Sequence, residues 1–205
     1  THRGHSPPVG LFFLKNKNLK YKNMPVTYIQ ALTVDTTNDC NYINTVVTFA
    51  DPNAPFPLTG NIVFRNMGGT VLNPSPITAV LTSSGDSISI VTPTEDLGSP
   101  SGVIKITYEI NGNVVDENAV LLACDIDCCL TKLTNELIDC GCDCTKCASS
   151  LAKAQKIFLL IKSSEYALVQ ADNAELGNQE GYIKDADNKY KKAFELCDNS
   201  CGCDC

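Results

Sequence analysis

Tryptophan is absent from this chain of 205 residues, and its only histidines, His2 and His5, stand within the first five positions. The rest of the chain therefore has no imidazole. That excludes Ser-His-Asp and Cys-His nucleophile arrangements from the body of the protein, and it leaves an all-sulfur set for any zinc site there. Arginine is almost as scarce, with Arg3 and Arg65 alone. A nucleic-acid or phosphate surface needs a basic face, so neither partner is expected. No run of apolar residues reaches the eighteen or so that suggest a membrane span. Neither Gly-x-x-x-x-Gly-Lys nor Gly-x-Gly-x-x-Gly occurs, so the phosphate-cradling loops are missing as well.

What charge there is divides unevenly. Residues 1–23 carry Arg3, Lys15, Lys17, Lys20 and Lys22 and no acid. They read as a leader or as upstream sequence translated in frame, with Met24 opening the folded body, and disorder is expected for them. A secretion signal is the competing reading, but Val9-Gly-Leu-Phe-Phe-Leu14 is a short apolar core without a good cleavage site. Setting these five bases aside leaves 11 of 16 basic residues against 23 acidic ones, a net charge of −12. Such a body repels its own copies unless they dock specifically.

Residues 24–123 read as all-β. Apolar alternation places strands at 26–34, 43–49, 61–65, 77–81, 87–91, 103–110 and 114–123, each bounded by Gly, Pro, Asn, Asp or Ser. In the sixth, Ile104, Ile106, Tyr108 and Ile110 face one way and Lys105, Thr107 and Glu109 the other. Asn111-Gly112 then makes a tight hairpin, because both residues accept positive φ. About seven short strands in about 100 residues suggest an immunoglobulin-like β-sandwich, with an eight-stranded jelly roll as the alternative. The missing tryptophan removes the central pin of antibody domains.

Residues 124–205 change period. Three segments show helical apolar spacing. The first has Ile126, Leu130, Leu133 and Leu137. The second has Leu151, Ala154, Phe158, Ile161 and Leu168, and the third has Ile183, Ala186, Tyr190, Ala193 and Cys197. Asp125 or Asp127 can cap the first. The expectation is an α+β chain of two domains, the sandwich followed by a Cys-rich three-helix bundle running up, down and up. Eight of the twelve cysteines fall in two runs, Cys140, Cys142, Cys144 and Cys147, and Cys197, Cys201, Cys203 and Cys205. Extending the stripes puts Cys140, Cys147 and Cys197 at one end of the bundle, where the two runs would meet. Four disulfides or two four-sulfur zinc sites both satisfy this crowding. Cys40, Cys124, Cys128 and Cys129 form a second group at the other end, with Cys40–Cys124 a candidate bridge from strand to junction. A reducing cytoplasm favours metal for such clusters, whereas release inside a particle permits oxidation afterwards.

No catalytic set emerges from the remaining residues. Glu95-Asp96 and Asp116-Glu117 lie at loops or strand ends and read as solvated carboxylates rather than a glycosidase pair. Asp185-Ala-Asp187-Asn188 is helical and lacks the order of a calcium loop. Cys144-Thr-Lys-Cys147 has the redox spacing, but no βαβ unit precedes it.

The run Val120-Leu-Leu-Ala-Cys-Asp-Ile-Asp-Cys-Cys129, the Cys-x-Cys turn, Ala154-Gln-Lys-Ile-Phe-Leu-Leu-Ile-Lys-Ser-Ser-Glu-Tyr-Ala167 and the Cys-rich end together carry a resemblance. Over roughly residues 115–205 the chain resembles small uncharacterised proteins of tailed bacteriophages, crAss-like and aquatic phages among them, that join a β domain to a Cys-rich helical end. The resemblance implies a virion or tail component, made in the host cytoplasm, whose partners are other virion proteins or copies of itself. No catalytic residue and no small-molecule substrate come with it. The expected function is non-enzymatic: the sandwich docks or binds a surface, and the stapled helices anchor or assemble. An all-thiolate zinc-binding interaction module is the alternative, with zinc as the only cofactor. A host-surface adhesin is a further one.

Overall fold

The computed structural model describes residues 29–36, 40–49, 56–139, 144–174 and 178–198. The leader expected at 1–23 lies outside the described residues. Seven strands precede three helices among those described: β1 (Ile29–Thr36), β2 (Tyr42–Phe49), β3 (Leu58–Asn66), β4 (Ile77–Leu81), β5 (Ser87–Pro93), β6 (Gly102–Ile110), β7 (Asn113–Leu122), α1 (Cys124–Asp139), α2 (Cys144–Asn173) and α3 (Gln179–Asp198). The strands form two antiparallel sheets, β1-β2-β5 and β4-β3-β6-β7. The chain is thus an α+β protein whose strands and helices are segregated in sequence, as their periodicities require.

Period-two alternation decides which side chains the sheets share. Ile43 and Val47 of β2 meet Ile62 and Phe64 of β3, Leu81 of β4, Ile104, Ile106 and Tyr108 of β6, and Leu122 of β7 in one buried cluster. Both sheets thus contribute to one buried core. Asn111 and Gly112 both take positive φ, 52° and 76°, and close the β6–β7 hairpin with Ile110 opposite Asn113. A bulge follows. Tyr108 pairs with Asp116 and Glu109 with Val114, so Val115 is the extra residue and turns into the core.

The opposite side of β6 carries Lys105, Thr107 and Glu109, as the alternation expects. Arg65 of β3 reaches Glu109 at 2.8 Å and donates to Thr107 Oγ1 at 2.6 Å, while Lys105 meets Glu117 at 3.1 Å. Buried Asn73 takes over where β4 stops pairing with β3: its Oδ1 accepts from Phe64 N at 2.8 Å and its Nδ2 donates to Ser75 O at 2.9 Å. Between β4 and β5, Asp86 accepts from the backbone and hydroxyls of Thr82 and Ser83 at 2.6–2.7 Å. These bonds favour the charged form and hold its carboxyl down at about 2.

The helices lie on the outer side of the four-stranded sheet. Val103 of β6 and Ala119 of β7, both facing away from the inter-sheet core, pack with Ala167 and Ala171 of α2 and Ile183 and Ala186 of α3. Small residues let α2 and α3 approach closely, and buried Ser164 Oγ donates to Ala186 O at 2.8 Å. Further along, α1 replaces the sheet as the cover. Ile126, Cys129 and Leu133 pack with Ile157 of α2 and with Tyr190, Ala193 and Cys197 of α3.

The third helix follows its expected stripe, with Ile183, Ala186, Tyr190, Ala193 and Cys197 all buried. The second follows its stripe in part: Ala154, Ile161 and Leu168 are partly buried and pack against the core. Leu151 and Phe158 are 47% and 51% exposed, while Ile157, Ser164, Ala167 and Ala171 face inward. The spacing was ambiguous because α2 is apolar on two sides.

Gly60 of β3 has a specific steric role. A Cβ there would lie 2.3 Å from the Tyr108 ring, so only glycine lets that ring pass. The ring carries its hydroxyl into the core, fully buried and without a hydrogen-bond partner among the described residues, and burial pushes the phenol up. Gly60→Ala should lower stability by about 1–3 kcal/mol through overpacking. Tyr108→Phe should raise it by about 1 kcal/mol, because it removes an unsatisfied buried group. Thermal and urea denaturation of the two variants check both signs.

Candidate functional site: the disulfide-tied junction

Strand gives way to helix with one residue between them, β7 ending at Leu122 and α1 beginning at Cys124. An acidic first turn suits the positive end of the helix dipole, and Asp125 and Asp127 supply it. Asp125 Oδ1 accepts from Ile126 N at 3.1 Å.

The same carboxylate accepts from Tyr190 of α3, whose hydroxyl donates to Asp125 at 2.8 and 3.0 Å. Tyr190 is 6% exposed, and a Cβ added at Gly102 would lie 3.0 Å from its ring. One side chain thus joins α3, the start of α1 and the start of β6. Burial, reinforced by Asp125 and Asp187 and opposed by a hydrogen bond with Ser101, raises the Tyr190 phenol well above its ordinary value.

Two disulfides fasten the region. Cys40 bonds Cys124, with Cα atoms 6.1 Å apart and a separation of 84 positions in sequence. This is the strand-to-junction bridge the sequence raised. Cys40 takes φ 57°, a left-handed conformation, and is held there by Thr94, whose Oγ1 donates to Cys40 O at 2.7 Å. The second disulfide joins Cys129 of α1 to Cys197 of α3, Cα atoms 5.7 Å apart and 68 residues distant in sequence. Both sulfurs lie in the core shared by the three helices. Cys128 and Cys147 are disulfide-bonded too.

This corrects the expected grouping. Cys197 was placed with Cys140 and Cys147 at one end, and Cys129 with a separate set at the other. Helix lengths explain the difference. At 1.5 Å per residue α2, with 30 residues, spans about 45 Å, and α3, with 20, about 30 Å. The third helix therefore stops beside the first half of α1, level with Cys129. The signal was legible, because Cys129 sits three residues after Ile126 and four before Leu133, on the same stripe. The start of α2 meets the end of α1 instead, with Ser150 Oγ donating to Glu136 at 3.1 Å. Of the other candidates, Cys140, Cys142, Cys201, Cys203, Cys205 and the side chain of Cys144 lie outside the described residues.

A disulfide sulfur has no thiolate to offer a metal. With Cys147 and Cys197 both oxidised, two of the eight sulfurs of the paired zinc sites are taken, and that arrangement does not fit this structure. Among the described residues no group of three or more His, Cys, Asp or Glu is placed to hold a metal ion. A hollow of about 300 Å³ opens at the junction, bordered by Cys40, Thr94, Ser99, Ser101, Cys124 and Asp125. Its one carboxylate already accepts from Tyr190, and its sulfurs are paired with each other. No helix among the described residues is long and apolar enough to cross a membrane.

No protein-family model matches the chain, and no curated protein matches it either.

Non-reducing peptide mapping should recover Cys40–Cys124 and Cys129–Cys197 as linked peptides. Replacing Cys129 and Cys197 together by alanine should cost about 4 kcal/mol, the loop-closure value for a separation of this size, read by urea denaturation. Tyr190→Phe should cost about 1.5–3 kcal/mol at neutral pH, as expected for a hydrogen bond to a charged group. The pH dependence has a definite sign. An unfolded phenol ionises near pH 10, below the folded value, so this contribution is whole below about pH 10 and is lost as pH rises towards the folded value. Tyr190→Phe should flatten the alkaline limb of the stability profile.

Proposed function

We propose that this chain is a non-enzymatic structural protein of a bacteriophage virion or tail. Its strands form an immunoglobulin-like sandwich that docks against a surface, and its helices form a disulfide-stapled three-helix bundle that anchors or assembles. The observation that carries this reading is the fastening of helices to sheet. Cys40–Cys124 ties the β part to the start of α1, and Cys129–Cys197 and the Tyr190–Asp125 hydrogen bond tie α3 to that same helix beside the junction, which suits a part that bears load and not one that opens to admit a substrate.

Strand order supports the immunoglobulin-like reading. β3, β6 and β7 occupy the places of the C, F and G strands, with β4 as the added neighbour of the first, against β1, β2 and β5. Phe64, fully buried on β3, stands on the strand where antibody domains carry tryptophan. The particle assignment is supported by the sequence resemblance over residues 115–205, and disulfides formed after release from the host agree with it.

Mass spectrometry of purified particles tests the reading. The protein should copurify with virions in fixed proportion to known structural proteins, and its absence from every virion fraction would overturn it.

A further inference from the structure

We propose that the outer face of α2 is a self-complementary surface through which two copies of this chain pair, their α2 helices antiparallel. Leu151, Phe158, Leu159, Tyr166 and Val169 are 47%, 51%, 67%, 63% and 54% exposed. At about 100° per residue they fall within a sector of about 100°, on the side away from buried Ile157. Such a stripe on a helix already packed along its other side is an unmet apolar face.

Spacing identifies the occupant. Leu151, Phe158, Leu159 and Tyr166 are separated by seven, one and seven residues, a pattern that reads the same in both directions. Laid antiparallel about an axis between Phe158 and Leu159, one copy's Leu151 meets the other's Tyr166, and Phe158 meets Leu159. Val169 then lies over Ala148. A two-fold interface requires this reciprocity, and a foreign helix would not.

Charge agrees. Between Cys144 and Ser164 there is no acid, and Lys146, Lys153, Lys156 and Lys162 lie in that part; Glu165 and Asp172 follow. In the antiparallel register Glu165 of one copy lies level with Ala152 of the other and Asp172 with Thr145, each next in sequence to a lysine and away from the other copy's acids. Lys162, whose Nζ sits 5.7 Å from the Phe158 ring centre, comes opposite Gln155 and not opposite another lysine. In a body of net charge −12 this helix is a segment where bases outnumber acids, so like copies can approach here.

The area is adequate for a reversible dimer. The five side chains leave the equivalent of nearly three large apolar residues uncovered, roughly 500 Å² per copy at about 150–250 Å² each. Two copies approach the lower bound of about 1,200 Å² for specific interfaces, with Lys162 and Gln155 stems adding to it.

This deepens the structural reading above by naming a partner, and it is tested separately, by sedimentation equilibrium of the oxidised full chain up to hundreds of micromolar. A reversible monomer–dimer equilibrium is expected. Leu159→Glu should weaken it about a hundredfold, since each dimer carries the change twice, with circular dichroism confirming the fold. Val91→Glu, on exposed β5, should leave it unchanged. Gln155→Glu should tighten it by placing a carboxylate opposite Lys162 in the antiparallel register. A parallel pair would instead be weakened by that change, and that result overturns the register. A chain monomeric throughout, or equal effects of Leu159→Glu and Val91→Glu, overturns the proposal. A monomeric protein found in virions would remove only the pairing; a dimer absent from virions would remove only the particle assignment.

Discussion

The apolar inner face of the α2–α3 hairpin is covered by two different parts of the molecule, one at each end. The four-stranded sheet covers the end near Ala167, Ala171, Ile183 and Ala186. α1, only 16 residues long, covers the end near Ile157, Ala193 and Cys197. The hairpin is thereby forced to straddle the point where β7 becomes α1. Everything distinctive about the molecule gathers at that point, because there the cover changes from strand to helix and the seam has to be closed.

Its closure is covalent and aromatic, with few ion pairs. A chain with one arginine after residue 23 has little means of building bidentate ion-pair networks. The exposed i,i+4 pairs on α3, such as Lys184–Glu180, are screened by solvent and add little. The disulfides act differently, by restricting the unfolded chain across separations of 84 and 68 residues. Tyr190 supplies the directional part. Its ring fits the space that Gly102 leaves open, and its hydroxyl satisfies Asp125 at the start of α1. Cys40–Cys124 thus holds strand to helix, while Cys129–Cys197 and Tyr190 hold α3 to α1.

Once the hairpin's inner face is satisfied, α2 still carries apolar residues on the side away from the core. α3 exposes fewer large apolar residues, Tyr182 and Phe194, and pairs its charges along itself through Lys184, Lys189 and Lys191. The contrast assigns the two helices different work. α3 completes the interior and ties to the junction, and α2 presents a face outward. Should two copies pair through that face as proposed, the fastening limits the ordering entropy lost on contact.

Alternation and turn chemistry made most of the β half readable. Ile104, Ile106 and Tyr108 announced an inward face, and Asn111-Gly112 announced its hairpin, because both are local consequences of backbone geometry. The stripes of α1 and α3 were readable for the same reason. The Cys40–Cys124 bridge was visible as a possibility, since one cysteine sat before a strand and the other at the junction. What local spacing could not reveal was relative length and cover. The expected stripe of α2 runs along one edge of the buried face, with Ala154, Ile161 and Leu168 packed and Leu151 and Phe158 outside, because in a helix apolar on two sides only the neighbours choose the face. The expected grouping of Cys197 with Cys140 and Cys147 fails because the reach of α3 is a difference between two helices, even though Cys129 lies on the inward stripe of α1. The sequence alone determined the elements, their inward faces and the absence of imidazole from the body. Tertiary structure decided which face of α2 is buried, that Cys129 and not Cys147 receives Cys197, and that Tyr190 meets Asp125. The reason is that each of these depends on distances between segments far apart in the chain.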